Sequence, residues 1–413
     1  MQHSIVRATA TSLVALALSG CTVDSTATAP PTASTAATAL LVSPRPPRSN
    51  AEDFVDIVAG DYHTCARKVN QKVYCWGRDN LGQIGLRTKS TCNAVACIDR
   101  PTLVIAPSAG GDSILRATQL DAGRDHTCIL DANGAAWCWG DNSQGQLGFA
   151  SGVHGPPIEP LPVIGKLSFS SIGAGSTSTC GIATGGMYCW GKIMQAAAQP
   201  TLVSSYNGYS VVTVGDLHAC TMQIVGSYRA VDCWGNNSYG QLGNDPVQLP
   251  SGPFTVRAQF GTSVSRVSTQ QNVTCVDQTT GTVQCVGDNG FYQLGLPSSV
   301  WWSGVPQTIG NGQLLHSVSA GMYHVCALDA TNAAWCWGMG FSGELGNGQA
   351  FTAQAPQAVT GGHTYRAIAS GYQHTCAIGT DNHIYCWGYN DFGQLGAQIP
   401  NHWVTNPIQA IDP

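Results

Sequence analysis

Apolar residues alternate with polar ones in short runs along most of the chain, and glycine or proline interrupts the runs every few residues. Thr64–Arg67 and Val73–Trp76 are typical, because a polar turn separates two runs of four residues. Alternation with a period of two and frequent turn residues predict β-hairpins. Helical spacing of apolar residues is almost absent, and glycine and proline recur too often for long helices. The pattern therefore predicts an all-β protein.

The hairpins recur as seven copies of one unit within residues 51–413. The first cysteines of the units, from Cys65 to Cys376, are about 52 residues apart on average. Six copies contain a Cys-Trp-Gly element, as in Cys75–Gly77, and the remaining copy has Cys285–Gly287 without the tryptophan. A period of about 50 residues with short strands indicates a propeller or a solenoid. Because ring closure removes exposed edges, we predict a seven-bladed β-propeller with four antiparallel strands in each blade.

The first unit contains the motifs on which a family resemblance rests. Gly60–Ala66 reads Gly-Asp-Tyr-His-Thr-Cys-Ala, and Trp76-Gly77 is followed by Leu81–Gly85. The unit resembles the regulator-of-chromosome-condensation repeat, and the resemblance implies a seven-bladed β-propeller. The third unit has Lys192–Gln199 in place of the Gly-Gln-Leu-Gly turn, and the fifth lacks both the histidine and the tryptophan. We expect these two blades to be shorter or looser.

The two ends of the repeat region suggest how the ring closes. Residues 54–60 resemble the second strand of a unit, and the C-terminal Pro407-Ile408 matches the proline-led apolar pairs that follow the other units. We therefore predict that the C-terminal segment pairs with the N-terminal one and completes the first blade.

The first fifty residues are expected to lie outside the propeller. Residues 1–20 combine Arg7 with a short apolar run, as in an export signal, and the run is too short to span a bilayer. Leu18–Cys21 resembles the lipobox of bacterial lipoproteins, which implies a lipid on Cys21. Residues 21–50 are rich in Ser, Thr, Ala and Pro and are typical of a flexible tether. We expect a lipoprotein of a bacterial outer membrane or cell surface; an ordinary secretory signal is the alternative.

The 17 cysteines divide into three groups. Cys21 is the expected lipid anchor, and Cys92 and Cys97 share one inter-repeat loop. The other fourteen form one pair in each unit, on adjacent strands of a hairpin, where facing Cα atoms lie roughly 4.5–5.5 Å apart as a disulfide requires. A gap near ten residues is too wide for a CxxC-like metal site, so we expect no metal. The expected disulfides are Cys65–Cys75, Cys92–Cys97, Cys128–Cys138, Cys180–Cys189, Cys220–Cys233, Cys275–Cys285, Cys326–Cys336 and Cys376–Cys386.

Composition excludes several classes of function. Lys and Arg number 18 against 23 Asp and Glu, so the chain lacks the basic surface that nucleic-acid binding requires. An apolar content of 43% with only 10% charged residues argues against global disorder. The cysteine content argues against a reducing compartment. Guanine-nucleotide exchange, a role the family resemblance implies, needs a cytosolic or nuclear partner and therefore conflicts with an exported, oxidised chain.

The tryptophans provide the candidate binding residues. Eight of the 11 lie within the repeat frame and are expected in the core. Trp301, Trp302 and Trp403 lie in inter-repeat loops, which emerge on one side of a propeller, and exposed tryptophan is a common interface anchor. These three could equally cover blade ends.

Histidine precedes the first cysteine by two residues in five units, so both side chains lie on one face of a strand. We interpret these histidines as structural donors to backbone carbonyls rather than as a metal or catalytic ring. They are His63, His126, His218, His324 and His374.

No catalytic residue and no cofactor can be assigned. The chain has no P-loop, no Gly-x-Ser-x-Gly element and no recurring carboxylate pair with an acid/base partner. The sequence favours a monomeric scaffold that binds an unidentified protein or glycan at the cell envelope and contacts the membrane through its lipid alone. A propeller inhibitor of an enzyme is one alternative, and a glycan-processing hydrolase is another.

Overall fold

The computed structural model describes residues 50–86, 90–106, 113–149, 159–193, 196–310 and 312–413. The export signal, Cys21 and most of the tether lie outside the described residues. Seven consecutive antiparallel sheets form seven blades, and each contains four strands in chain order from the centre outwards. Within the described part of the chain, no helix is long and apolar enough to cross a membrane.

The first three blades take up residues 54 to 204. Blade 1 contains β1 (Phe54–Ala59), β2 (His63–Lys68), β3 (Val73–Arg78) and β5 (Val95–Leu103), with the short β4 (Thr91–Cys92) added at its outer edge. A small hairpin of β6 (Ile105–Ala106) and β7 (Ser113–Ile114) precedes blade 2. Blade 2 contains β8 (Gln119–Ala122), β9 (His126–Leu130), β10 (Ala136–Gly140) and β11 (Leu161–Pro162). Blade 3 contains β12 (Phe169–Ala174), β13 (Ser178–Ala183), β14 (Gly186–Lys192) and β15 (Ala196–Ser204).

The remaining four blades follow the same order. Blade 4 contains β16 (Tyr209–Val214), β17 (His218–Val225), β18 (Tyr228–Gly235) and β19 (Gly252–Arg257). Blade 5 contains β20 (Val264–Gln270), β21 (Val273–Gln278), β22 (Val283–Asp288) and β23 (Trp302–Ile309). Blade 6 contains β24 (Leu315–Ala320), β25 (His324–Asp329), β26 (Ala334–Gly338) and β27 (Ala353–Ala358). Blade 7 contains β28 (Tyr365–Ser370), β29 (His374–Gly379), β30 (Ile384–Tyr389) and β31 (Trp403–Gln409).

Ring closure differs from the prediction made from the chain ends. β1 is the innermost strand of blade 1, and the C-terminal β31 pairs with β30 in blade 7. Every repeat supplies its own inner strand before its hairpin, so blade 1 already has four strands and needs none from the C-terminus. Blades 7 and 1 are joined by side chains instead: Arg366 Nη2 donates to the carbonyl of Phe54 at 2.6 Å.

The two irregular units also form complete blades. Blades 3 and 5 keep four strands each, so the departures from the repeat motif do not remove a strand. In blade 3, β14 ends at Lys192 and β15 begins at Ala196.

The hydrophobic core is divided among the interfaces between neighbouring blades. Seven clusters of buried residues are found, and each joins side chains of two adjacent blades. The cluster between blades 7 and 1, for example, combines Phe54 and Trp76 with Ile384 and Leu395. Apolar burial therefore holds the ring together blade by blade rather than around one central core.

Seven disulfides join the second and third strands of the seven blades. Their cysteines are direct cross-strand partners with Cα atoms 4.1 or 4.2 Å apart, in the same combinations as expected from the sequence. All fourteen are buried in the cores between blades. An eighth disulfide, Cys92–Cys97, braces the loop between β3 and β5.

Each histidine of the repeat frame bonds to the next blade through a threonine hydroxyl, a partner that the sequence interpretation did not include. The expected backbone hydrogen bond is found for His218 with Gln271 and for His374 with Asp61. The distances between Nε2 and Oγ1 are 2.8 or 2.9 Å for His63–Thr127, His126–Thr179, His218–Thr274, His324–Thr375 and His374–Thr64. Where the histidine position holds Ser178 or Val273, the threonine position of the following blade holds Ala219 or Val325. The histidine and its threonine partner are thus absent together in these two places. We therefore call the histidine–threonine hydrogen bonds inter-blade ties.

The Gly-Gln-Leu-Gly turn completes this tie. Thr127 Oγ1 and Trp139 Nε1 both donate to the carbonyl of Gln83, each at 3.0 Å, so one turn of blade 1 supports two side chains of blade 2. Because the threonine proton is used on that carbonyl, the Nε2–H of His63 is the donor to Thr127. At this joint the turn and the histidine of one blade therefore support the threonine and the tryptophan of the next.

Burial lowers the pKa of these histidines and keeps them neutral. The pKa is about 3 for His63, His324 and His374, and about 4 for His126 and His218. The unfolded chain, in which the pKa returns to about 6.5, therefore binds protons that the folded ring does not. The contribution of these groups to stability is complete above pH 6.5 and is lost as the pH falls toward 4.

The variant His126→Gln removes one of these buried histidines, so we expect its stability to fall less at low pH than that of the wild type. At pH 7 the variant should be less stable than the wild type, because the imidazole packs in a buried joint. Between pH 6.5 and 4 the difference should narrow by roughly 3 kcal/mol, since one pKa unit corresponds to about 1.4 kcal/mol. Chemical denaturation at several pH values measures this difference. A difference independent of pH would contradict the assignment of a neutral buried histidine.

Candidate binding face

The two faces of the ring carry different loops. Successive strands of a blade are antiparallel, so the loops between first and second strands emerge on the same side as those between third and fourth strands. We call this side the upper face. The turns between second and third strands and the connections between blades form the lower face.

A continuous cluster of aromatic rings lies on the upper face across blades 5, 6, 7 and 1. We call it the aromatic arc, and its members are Phe291, Tyr323, Tyr372, Tyr62, Tyr389 and Phe392. Centroid separations are 4.8 Å for Phe291–Tyr323, 5.4 Å for Tyr323–Tyr372, 5.2 Å for Tyr372–Tyr62 and 5.1 Å for Tyr62–Phe392, and Tyr389 lies 6.1 Å from Tyr62. All six side chains are half-buried, so each packs on a neighbour and keeps part of its surface in solvent.

Repeat geometry places these rings. Tyr62 and Tyr323 directly precede the buried histidines, so the inter-blade ties fix their backbone. Phe291 and Phe392 occupy equivalent positions in their turns. Their N–H groups donate to the side-chain oxygens of Gln293 and Gln394, at 2.8 and 3.0 Å. The arc is therefore held by the rigid frame of the repeat.

One cation joins the arc to charged residues. The guanidinium of Arg78 lies 4.9 Å from the ring centre of Tyr62 and 5.6 Å from that of Phe392. Its Nη2 donates to Asp125 at 2.8 Å. Arg124 lies 3.3 Å from Asp61 and 3.6 Å from Asp125. Burial raises the pKa of Asp61 to about 7, and the nearby Asp125 adds to this shift.

A polar region of the upper face adjoins the arc. A cleft of about 450 Å³ extends over blades 2, 3 and 4. Charged residues of both signs, including Arg124, Asp141, Lys192 and Asp216, line it together with small hydroxyl side chains. The aromatic arc and this charged cleft thus lie side by side, and Arg78 and Arg124 lie between them.

The tryptophans predicted as binding residues lie at the outer edge of the upper face. Trp301 is 68% exposed, Trp302 39% and Trp403 45%, and Trp302 and Trp403 begin the outer strands β23 and β31. Of the eight frame tryptophans, the six in Trp-Gly elements are buried, whereas Trp137 and Trp335 are half-buried. The structure thus separates exposed edge tryptophans from the inner arc, which the sequence interpretation did not include.

The described residues contain no group of three or more His, Cys, Asp or Glu side chains that could hold a metal ion.

Comparison with known proteins identifies the repeat. Two family models, both described as Regulator of chromosome condensation (RCC1) repeat, match residues 54–83, 117–146, 316–344 and 365–394, and residues 70–130 and 332–378. The ultraviolet-B receptor UVR8 of Arabidopsis thaliana is 27% identical over 324 residues, which cover 74% of this chain and 70% of the receptor. The human regulator of chromosome condensation is 24% identical, and the match covers 72% of this chain and 62% of that protein. A match to human E3 ubiquitin-protein ligase HERC2 covers 71% of this chain but 6% of the ligase.

Solved structures show the same architecture. Human WBSCR16 superposes with a TM-score of 0.70 at 17% identity, covering 83% of this chain and 95% of that one. Yeast RCC1 (Prp20), solved with Kap60, gives a TM-score of 0.69 at 18% identity, covering 86% of this chain and 85% of that one. At these identities the likeness concerns the fold. The chain thus carries RCC1 repeats at the matched residues, and its ring of seven four-stranded blades has the architecture of the solved RCC1 structures.

Proposed function

We propose that this protein is an exported scaffold that binds a protein partner through the aromatic arc of its upper face. The observation that carries the proposal is the unbroken contact of six aromatic rings from four blades, with Arg78 stacked on two of them. Tyrosine and arginine are among the residues that dominate binding energy at protein interfaces. A rigid aromatic surface also loses little conformational entropy on binding.

Two structures of one relative support a protein as the partner. Yeast RCC1 (Prp20) was solved bound to Kap60, and another structure of Prp20p is described together with its binding to Gsp1p and histones. Those partners belong to those proteins, and the proposal takes from them only that a propeller of this kind can present a protein-binding surface. An enzyme inhibited by the scaffold is one form that the partner could take.

The cysteines are the reason that this proposal includes export. Eight disulfides in one chain suit an oxidising compartment, in agreement with a signal at residues 1–20. We take Cys21 as the lipid anchor, residues 21–50 as the tether and residues 51–413 as the propeller. Outer-membrane or surface attachment is part of the same proposal.

Site-specific photo-crosslinking tests the proposal in cells that produce the protein. Phe341 on the upper face and Val225 on the lower face are both 60% exposed, so they are matched positions for a benzophenone amino acid. We expect a protein adduct from position 341 and none from position 225. An adduct from position 225 alone, or none from position 341, would overturn the assignment of the binding face.

A further inference from the structure

A second cleft lies where blade 7 meets blade 1. It has a volume of about 220 Å³ and lies between the loop that contains Cys92–Cys97 and the loop that connects β30 to β31. This volume is below the roughly 300–1,000 Å³ of sites for drug-sized ligands, so the cleft suits one small ligand unit. Its polar lining side chains include Asp99, Asp391, Gln398, Asn401 and His402.

The walls of this cleft are fixed before any ligand binds. The Cys92–Cys97 disulfide braces one wall, and Asn93 Nδ2 from that wall donates to the carbonyl of Asp391 in the other at 3.1 Å. Gly393 has φ +75°, and a Cβ at this position would lie 2.6 Å from Asp99 Cα. The glycine therefore allows the two loops to pack closely, and a preorganised cleft saves the entropy of ordering it.

The lining favours a neutral, hydroxyl-rich ligand. Carboxylate, amide and imidazole groups offer planar sets of acceptors and donors, which match neighbouring hydroxyl groups on a sugar ring. Tyr389 and His402 both contact the carboxylate of Asp391, so its orientation is fixed. The described lining contains two aspartates and no lysine or arginine, an arrangement that disfavours an anionic ligand.

An aromatic surface stands next to these polar groups. Trp403 directly follows His402 and is the cross-strand partner of Tyr389, so the two side chains lie on the same face of the sheet. Tyr389 reaches the lining residue Asp391 with its hydroxyl group, so this pairing sets Trp403 near the rim of the cleft, outside the lining itself. Trp403 is 45% exposed and can stack on the C–H face of a pyranose, whose hydroxyl groups then point toward the polar lining.

From this combination we infer that the cleft binds one unit of a neutral oligosaccharide, separately from the protein partner of the aromatic arc. Trp403 stacks on the sugar ring, and Asp391, Asp99 and Asn401 bind its hydroxyl groups. The braced loop of blade 1 then has a role beyond stability, because it forms one wall of a sugar site.

Calorimetric titration of the full chain tests this inference. The probes are maltohexaose, cellohexaose and chitohexaose as neutral ligands and trigalacturonate as an anionic one. We expect at least one neutral probe to bind and trigalacturonate not to bind. Trp403→Ala should weaken binding at least tenfold, and Trp403→Phe should retain most of it. Asp391→Asn should also weaken binding, by removing a charged acceptor.

The matched control is Trp301→Ala, which removes an exposed edge tryptophan of blade 5 and should leave sugar affinity within twofold. The double variant Tyr323→Ala with Tyr372→Ala should also leave it unchanged, which separates this site from the arc. Absence of binding for all three neutral probes, stronger binding of trigalacturonate, or wild-type affinity in a folded Trp403→Ala variant would each overturn the inference.

Discussion

Replacing Trp139 with alanine is expected to lower the free energy of unfolding by about 4 kcal/mol, the usual cost of removing a large buried aromatic side chain. Trp139 is fully buried between blades 1 and 2, where it packs with Ile84, Val104 and Leu120. Its Nε1 also donates to the carbonyl of Gln83 at 3.0 Å. The variant loses both this packing and the hydrogen bond that joins two blades.

The chain supplies a matched control two residues earlier. Trp137 lies on the same strand but is half-buried, and its Nε1 donates to Asp131 at 3.4 Å. We expect Trp137→Ala to cost about 1 kcal/mol, the typical effect of a single substitution, because its side chain only borders the core. The loss of unfolding free energy in Trp139→Phe should lie between those of Trp139→Ala and Trp137→Ala. Phenylalanine keeps most of the apolar volume but cannot make the hydrogen bond. Denaturant unfolding, followed by tryptophan fluorescence, measures the free energy of unfolding of the three variants. Equal losses of this free energy in Trp139→Ala and Trp137→Ala would contradict the claim that Trp139 joins blades 1 and 2.

The stability argument explains which parts of the fold could be predicted from the sequence. The hairpin cysteines are about ten residues apart and face each other across a local turn, so their pairing follows from strand alternation. The Cys-Trp-Gly elements recur at a regular period and therefore indicate the number of blades. Both patterns lie within single hairpins, where the alternation of apolar and polar residues largely determines the local structure.

Ring closure could not be predicted in this way. Residues 54–60 and 403–409 both have strand character, but alternation does not show which neighbour a strand pairs with. The predicted pairing depends on whether the first strand of a repeat lies innermost in its blade or outermost. Pairing of β31 with β30 is settled by the three-dimensional continuity of blade 7.

The aromatic arc was missed for a related reason. Its members come from four different repeats and occupy four different positions within the repeat, so no local pattern links them. One signal was available, because Tyr62 and Tyr323 share the position before the histidine and Tyr372 lies one residue earlier. Position outside the repeat frame points instead to Trp301, Trp302 and Trp403. Residues outside the frame lie in the outer loops, at the edge of the upper face.

The second large effect concerns partner binding. Tyr323 and Tyr372 are neighbours in the middle of the arc, with ring centroids 5.4 Å apart, and both come from loops of the upper face. Truncation of a central hot-spot residue costs about 2 kcal/mol or more. Replacing both with alanine is therefore expected to weaken partner affinity at least about 100-fold.

The control is Tyr206→Ala, on the connection between blades 3 and 4 at the lower face. Tyr206 is 42% exposed and packs on Tyr209 at a centroid distance of 4.9 Å, so it resembles the arc tyrosines in chemistry and packing. Loss of its ring should change affinity less than twofold. Melting curves of all variants establish that the ring remains folded.

The most direct test of the binding face is the dissociation constant of the partner captured by photo-crosslinking, measured for the wild type, the double arc variant and Tyr206→Ala. We predict a loss of at least about 100-fold for Tyr323→Ala with Tyr372→Ala and an unchanged constant for Tyr206→Ala. Wild-type affinity in a folded double variant, or an equal loss in Tyr206→Ala, would contradict the proposal that this propeller binds its partner through the aromatic arc.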